Sequence, residues 1–173
     1  MRMAASRLVL ALAALGWAGA AAASDFHPAA TPPEKALDAT VRLADRDAGF
    51  HFYVLQASWY GKPADKGYSR LVTKALVAAI GAEEKKLVQA NCGGKYLAGE
   101  LCGHDFRPLT CAQDFSDQPY LYQTVSADAN SAVIRRKWPS GTDEGNTYRL
   151  LLADGRWRID GIDCGGATKY NMR

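Results

Sequence analysis

The densest cluster of residues able to do acid–base chemistry lies in the middle of the chain, where His104 precedes Asp105 and Gln113 precedes Asp114. In a pocket that shifts their pKa values towards neutrality, an Asp can act as a general base and a His as a general acid. The same Asp residues commonly cap turns, and we favour that interpretation because the sequence shows no third residue to orient His104. The candidate catalytic residues are therefore His104, Asp105 and Asp114, and the sequence gives them no stronger status.

The four cysteines of the chain are Cys92, Cys102, Cys111 and Cys164. Three of them, together with His104, supply the donor atoms of a Cys₃His zinc site, but their spacing lacks the usual short Cys-x₂₋₄-Cys pairs. An even number of cysteines in an exported chain favours two disulfides and no metal. Three pairings are possible and the sequence does not choose among them. We favour Cys92–Cys102, which would close a Gly-rich loop, with Cys111–Cys164.

Motifs for cofactors and activated nucleophiles are missing from the sequence. It contains no Gly-x-Ser-x-Gly elbow, P-loop or dinucleotide fingerprint, so we expect no cofactor. His51 lies in an apolar stretch, where a histidine is more often packed or exposed than a ligand.

The chain has 21 Lys and Arg against 18 Asp and Glu, and two of the cations precede residue 8. Without those two the chain is nearly neutral, which argues against a nucleic-acid binder.

The N-terminus has the pattern of a secretory signal peptide. Arg2 and Arg7 precede an uncharged run that ends in small residues, with a cleavage position before Ser24. The chain has no cysteine close behind this run that could be lipidated, and no later segment long and apolar enough to cross a bilayer. We predict a signal peptide over residues 1–23, a flexible leader over 24–33 and a single domain over 34–173. The product would be periplasmic or secreted.

The first helical pattern follows the leader. Thr31 followed by Pro32, Pro33 and Glu34 predicts a helix start. Apolar residues then recur at steps of three and four from Leu37 to Trp59, which predicts one helix that continues to Tyr60 and stops at Gly61. Gly49 could kink or break this helix, and the apolar alternation just after it is instead typical of a strand. Helix is the interpretation that we favour for the stretch around Gly49.

A second helix is predicted over residues 69–80, with a continuation to residue 90. The charged run over residues 83–86 indicates a solvated face of that helix rather than a site. Residues 91–118 are irregular, rich in Gly and contain three of the four cysteines. Disulfides and packing would have to hold so long a connection in place.

The last third of the chain changes to the pattern of strands. β-branched and aromatic runs alternate with turn-forming residues, and Asp154-Gly155 indicates a tight hairpin. Helices followed by an antiparallel meander predict an α+β fold, with the N-terminal helices packed on a curved antiparallel sheet. The strands are predicted over residues 120–126, 132–138, 147–153 and 156–164.

Two segments give the chain a resemblance to a known family. Residues 105–114 read Asp-Phe-Arg-Pro-Leu-Thr-Cys-Ala-Gln-Asp, and residues 157–162 read Trp-Arg-Ile-Asp-Gly-Ile. In order and type they resemble the YbjP-like family, a domain of unknown function, over roughly residues 34–164. The resemblance implies a cone of the nuclear-transport-factor-two or ketosteroid-isomerase type, and it brings no catalytic residues. The chain departs from the lipoprotein members because it lacks their acylation cysteine.

Binding residues are predicted on the sheet. Arg149 and Arg158 can share its outer face, joined either by Arg135 and Lys137 or by Arg136, according to register. Such a patch could hold an anionic partner, although a solvated face balanced by acidic residues explains it as well. Tyr148 and Trp157 belong either to the core or to the lining of an apolar pocket.

These observations predict an exported, non-enzymatic module that binds a protein or a small ligand. Its ligand-binding residues would be Tyr148, Arg149, Trp157 and Arg158. An envelope accessory protein and an immunity or inhibitor protein both fit the size and location. The alternative is a small enzyme of the isomerase or hydratase type that uses the residues of the 104–114 cluster. The sequence does not predict the oligomeric state.

Overall fold

Three helices pack on one face of an open five-stranded antiparallel sheet in a computed structural model, which describes residues 25–56, 63–115, 117–139 and 145–172. This architecture confirms the predicted α+β class. The helices are α1 (Pro32–Arg46), α2 (Ala48–Leu55) and α3 (Lys74–Cys92). The strands are β1 (Leu121–Ala127), β2 (Ser131–Lys137), β3 (Asn146–Ala153), β4 (Arg156–Asp163) and β5 (Lys169–Tyr170), and they lie in the sheet in chain order.

The N-terminal segment joins the edge of the sheet before α1 begins. His27 exchanges two backbone hydrogen bonds with Tyr122 of β1, at 2.9 and 2.7 Å. Thr31 then caps α1, since its hydroxyl accepts a hydrogen bond from the Glu34 amide and the Glu34 carboxylate accepts one from the Thr31 amide. Residues 1–24, including the predicted signal peptide and its cleavage position, lie outside the described residues.

The predicted helix start at Thr31 is confirmed. The prediction of one continuous helix from there to Tyr60 is wrong, because Asp47 divides it. Asp47 has an extended backbone, and its carboxylate accepts a hydrogen bond of 2.8 Å from the Gly49 amide, which begins α2. The stretch around Gly49 is helical, as predicted. Gln56 then takes the left-handed conformation, with φ of 53°, and ends α2. The predicted helix end at residue 60 and stop at Gly61 lie outside the described residues.

Helix α3 begins later than predicted and runs further. Thr73 caps it, and the helix continues to Cys92, so the predicted continuation through residue 90 is confirmed. The residues before Thr73 form a short 3₁₀ turn and then a parallel bridge between Val72 and Ile159 of β4. This bridge fixes the start of α3 against the sheet.

The sheet follows the predicted strands closely, with β5 as an unpredicted addition. Asp154 and Gly155 both have positive φ, at 51° and 70°, and they connect β3 and β4 as predicted. The inward-facing residues of the sheet pack against the helices in one core. Its large wholly buried residues include Leu37, Phe50, Leu76, Ile80, Leu109, Tyr120, Tyr122, Ile134, Tyr148, Leu150 and Ile159.

The two disulfides have the favoured pairing, Cys92–Cys102 and Cys111–Cys164. The first joins the end of α3 to the loop that follows it, and the second joins the segment before β1 to the residue after β4. Both bridges therefore hold the irregular stretch between α3 and β1 against regular elements. Across the described ranges, no group of His, Cys, Asp and Glu is arranged to hold a metal ion. The helices of those ranges include none long and apolar enough to cross a membrane.

Candidate functional site

Three neighbouring cavities surround residues 101–106, in the loop after α3. The largest, of about 630 Å³, lies between α3, this loop and residues 167–170; we call it the cleft. A cavity of about 160 Å³ lies towards α2, and one of about 240 Å³ lies beside Arg107. His104 lines all three. The cleft is lined by Ala79, Glu83, Lys86, Leu87, Asn91, Leu101, Gly103, His104, Asp105, Phe106, Ala167, Thr168, Lys169 and Tyr170.

A buried hydrogen-bond network forms the floor of the cleft. The His104 side chain is 2% exposed, and its Nδ1 lies 2.6 Å from Oε2 of Glu84, which is 4% exposed. The same oxygen accepts a hydrogen bond of 2.9 Å from the His104 backbone amide. The other imidazole nitrogen, Nε2, lies 2.7 Å from the Tyr170 hydroxyl, and Tyr96 donates its hydroxyl to Oε1 of Glu84 at 2.6 Å. The network joins α3, the loop and β5.

The proton positions follow from the ionisation of Glu84. Burial alone would raise its pKa, but hydrogen bonds from the His104 side chain, from Tyr96 and from the His104 backbone outweigh burial and lower it. A carboxylate only accepts hydrogen bonds, so Nδ1 of His104 carries a proton and donates to it. The other ring nitrogen, Nε2, makes its contact with the hydroxyl of Tyr170. Burial, followed by the charges of Glu83 and Glu84, raises the pKa of that phenol, which keeps it a donor.

Glu84 contradicts the prediction that residues 83–86 form a solvated face. It lies four residues after Ile80 and four before Val88, both buried, so it shares the inward stripe of α3. Glu84 is also the partner for His104 that the sequence did not reveal. Gly103 permits this contact, because a Cβ at that position would meet Oε1 of Glu84 at 1.9 Å. The step of four along α3 was the signal that could have identified Glu84.

The two candidate aspartates lie in different places. Asp105 is exposed and lines the cleft beside His104. Asp114 is exposed as well, but it is not among the residues that line the three cavities. Its neighbour Gln113 lines the smaller cavity beside Arg107, together with His51. The structure thus brings His104 and Asp105 into one cleft, without Asp114.

The candidate binding residues of the sheet do not line these cavities. Tyr148 is wholly buried and donates its hydroxyl to the Leu109 carbonyl at 3.1 Å, and Trp157 packs against the core. Arg149 pairs with Asp160 across 2.5 Å. Arg158 lies on the same face and pairs with Asp154 at 2.7 Å. Both arginines therefore have internal partners.

The register of β2 decides which basic residues reach the outer face. Arg135 and Lys137 face outward, whereas Arg136 points inward and is wholly buried. Its guanidinium lies 4.3 Å from the ring centre of Tyr120 and 5.5 Å from that of Tyr148. Arg136 therefore belongs to the core and not to a basic patch on the outer face.

Comparison with known proteins adds no relative. No protein-family model matches the chain, no curated protein is significantly similar to it, and no solved structure is significantly similar either. The fold and the site define the class as a disulfide-bonded α+β domain with a surface cleft over a buried Glu–His–Tyr network. A function must therefore be argued from the structure itself.

Proposed function

We propose that this protein is an exported binding module, without catalytic activity, that takes a small ligand or part of a protein partner into the cleft. The observation that carries the proposal is a cleft of about 630 Å³ whose walls are held by covalent and buried polar contacts. Preformed concave sites of this size, with mixed apolar and polar linings, are typical of ligand binding.

The walls of the cleft are held on three sides. The Cys92–Cys102 disulfide ties the loop to α3, and the Asn91 side chain donates a hydrogen bond of 3.1 Å to the Cys102 carbonyl. Glu84 and Tyr170 then hold His104 from α3 and from β5. A site built in advance loses little conformational entropy when a ligand binds, which favours affinity.

An apolar rim supports a binding role for the same region. Leu101, which lines both the cleft and the cavity towards α2, is 63% exposed, and Leu97 in the same disulfide-closed loop is 48% exposed. Phe52 of α2 is exposed as well and lines the cavity next to Leu101. Clustered exposed apolar side chains beside a cleft commonly mark interaction surfaces.

The hydrogen bonding of the cleft floor argues against a catalytic role. Both ring nitrogens of His104 are occupied, one by Glu84 and the other by Tyr170. A general base needs a free lone pair within reach of a substrate proton. The phenol of Tyr170 does not supply one, because its raised pKa keeps it protonated.

The location and the family relationship form part of the same proposal. The signal-peptide pattern of residues 1–23 supports export to the periplasm or out of the cell, and the two disulfides fit an oxidising compartment. The resemblance to the YbjP-like family fits an exported envelope domain. Within this class, an envelope accessory protein and an immunity or inhibitor protein both match the cleft.

Native mass spectrometry of protein purified from its own export compartment tests the binding role. Ala167 lines the cleft and is exposed, so Ala167→Trp should block the cleft without disturbing the core. Ala129 is an equally exposed alanine in the β1–β2 turn, and Ala129→Trp is the matched control. We expect a bound species on the wild type and the control but not on Ala167→Trp. An identical mass spectrum for all three, corrected for the substitutions, would refute the proposal.

A second candidate function rests on the Glu84–His104 contact, because a carboxylate that orients a histidine is common to acid–base enzymes. This alternative is a small enzyme of the isomerase or hydratase type, with His104 and Asp105 in the cleft. It requires Tyr170 to leave Nε2 free when substrate binds. Turnover of a ligand recovered from the cleft, abolished in Asp105→Asn but kept in Asp114→Asn, would favour the enzyme over the binding module.

A further inference from the structure

The charged side chains of the cleft differ in whether they already have partners. Lys86 pairs with Glu83 at 3.0 Å, and Lys169 pairs with Asp163 at 2.7 Å. The carboxylate of Asp105, in contrast, has no hydrogen bond or ion pair within the described parts of the chain. The unpaired charge in the lining of the cleft is therefore negative.

The surroundings of Asp105 reinforce this negative field. An anion that approached Lys86 or Lys169 would also meet the carboxylate already bound to that lysine. Glu84 adds a further buried carboxylate beneath the cleft, in contact with His104. The charges of Glu83 and Glu84 also act on Tyr170 at the floor of the cleft, where they contribute to its raised pKa.

Apolar surface lies next to the unpaired carboxylate. Leu87 of α3 and Leu101 of the loop line the cleft, and Phe106 follows Asp105 directly. The Phe106 ring is held at right angles to the imidazole of His104, with 5.4 Å between ring centres. An aromatic ring and two leucines beside a carboxylate suit a flexible aliphatic chain that ends in a cation.

We propose that the cleft recognises a primary ammonium or guanidinium group on an aliphatic stem, with the cation at Asp105 and the stem between Leu87, Leu101 and Phe106. This inference rests on the proposed binding function and names the chemistry of its ligand. Two sources share that chemistry: a free aliphatic amine and a Lys or Arg side chain of a partner polypeptide.

Chemical-shift titration of the isotopically labelled exported protein tests the proposal. The probes are the N-acetyl N-methylamide of lysine, the same derivative of norleucine, which has the stem but no ammonium, and free cadaverine. We expect the lysine derivative to shift the backbone amides of residues 103–106 and 167–170. It should bind about 1.5- to fivefold more tightly than the norleucine derivative, the range for one exposed ion pair. Tighter binding of the lysine derivative than of cadaverine would indicate a side chain of a partner polypeptide, and the reverse order would indicate a free amine.

Two exposed aspartates supply matched variants for the same titration. Asp105→Asn should remove the preference for lysine over norleucine, whereas Asp114→Asn should keep it. Equal binding of the two derivatives to the wild type, no binding of either, or an unchanged preference in Asp105→Asn would overturn the inference. Native mass spectrometry separates the two proposals. If the titration fails but the wild type still carries a bound species that is missing from Ala167→Trp, the binding module stands and only the proposed ligand chemistry is wrong. If the titration fails and no such species is found, both proposals are wrong.

Discussion

At the scale of single residues, Glu84 determines how the cleft is built. A buried carboxylate is costly unless its oxygens are hydrogen-bonded. Glu84 receives donors from the backbone and side chain of His104 and from Tyr96, so both of its oxygens are satisfied. Because these donors come from the loop, the carboxylate converts an irregular segment into a fixed wall of the cleft.

We expect Glu84→Gln to lower the free energy of unfolding by about 2–4 kcal/mol, because its amide group would replace an acceptor with a donor in a buried network. The neighbouring Glu83 is 43% exposed and makes one ion pair with Lys86. Glu83→Gln is therefore the matched control, with an expected change within about 0.5 kcal/mol. Urea denaturation at pH 7 measures both. Equal effects of the two substitutions would contradict the role given to Glu84.

The lowered pKa of Glu84 makes a prediction for pH. A carboxyl group whose pKa is lower in the folded state stabilises the fold above its ordinary value of 4.5, and this contribution is lost as pH falls through the lowered pKa. The difference in unfolding free energy between wild type and Glu84→Gln should therefore shrink as pH falls below about 5. Urea denaturation from pH 7 to pH 3 measures it. A difference that stays constant or grows on acidification would show that the carboxylate charge is not the stabilising feature.

Sequence reasoning identified part of this network. His104 was found because it precedes Asp105, and both line the cleft. The sequence predicts a solvated face for Glu84, because the neighbouring charged residues conceal the four-residue step from Ile80. Tyr170 lies 66 residues from His104, and sequence pattern alone could not show that contact.

At the scale of elements, Asp47 separates α1 from α2. Its carboxylate accepts hydrogen bonds from the Gly49 amide at 2.8 Å and from the Tyr68 hydroxyl at 2.6 Å. Burial and this contact with Asp47 raise the pKa of Tyr68 to about 12. The apolar steps on both sides of Asp47 concealed the break, because the pattern of burial continues from one helix into the next.

We expect Asp47→Ala to lower the free energy of unfolding by about 1–2 kcal/mol, since it removes the cap of α2. Asp117 is an exposed aspartate with no hydrogen bond or ion pair to the described residues, so Asp117→Ala is the control and should change the free energy of unfolding by less than about 0.5 kcal/mol. Thermal unfolding of both variants compares the two effects. A loss in Asp47→Ala no larger than that of the control would argue against capping.

At the scale of the whole molecule, the cleft is built from parts of the chain that are far apart in sequence. Helix α3, the loop after it and the C-terminal residues 167–170 meet only when the chain is folded on the sheet. The helices and four of the strands followed from periodicity and turn residues, because those signals are local. The cleft depends on long-range contacts, so local sequence patterns could not predict its position.

The two disulfides close chain segments of different length, so we expect them to contribute differently to the free energy of unfolding. Cys92–Cys102 spans 10 residues and Cys111–Cys164 spans 53. By loss of chain entropy in the unfolded state, the first should contribute about 3 kcal/mol and the second about 4 kcal/mol. Urea denaturation of the two double-alanine variants compares them, and we expect the larger loss without the second bridge. A larger loss without Cys92–Cys102 would instead show that native contacts in the loop outweigh chain entropy.

Site-specific photo-crosslinking tests the claim that the cleft is the binding site most directly. A photoreactive phenylalanine derivative would replace Lys86, whose 75% exposed side chain lines the cleft, or, as the control, Ala129 in the distant turn. The protein would be exported by its own cells and irradiated there, and adducts would be identified by mass. The account predicts one defined adduct from position 86, suppressed when Asp105→Asn is added, and none from position 129. The same adducts from both positions, or an adduct from position 129 alone, would contradict it.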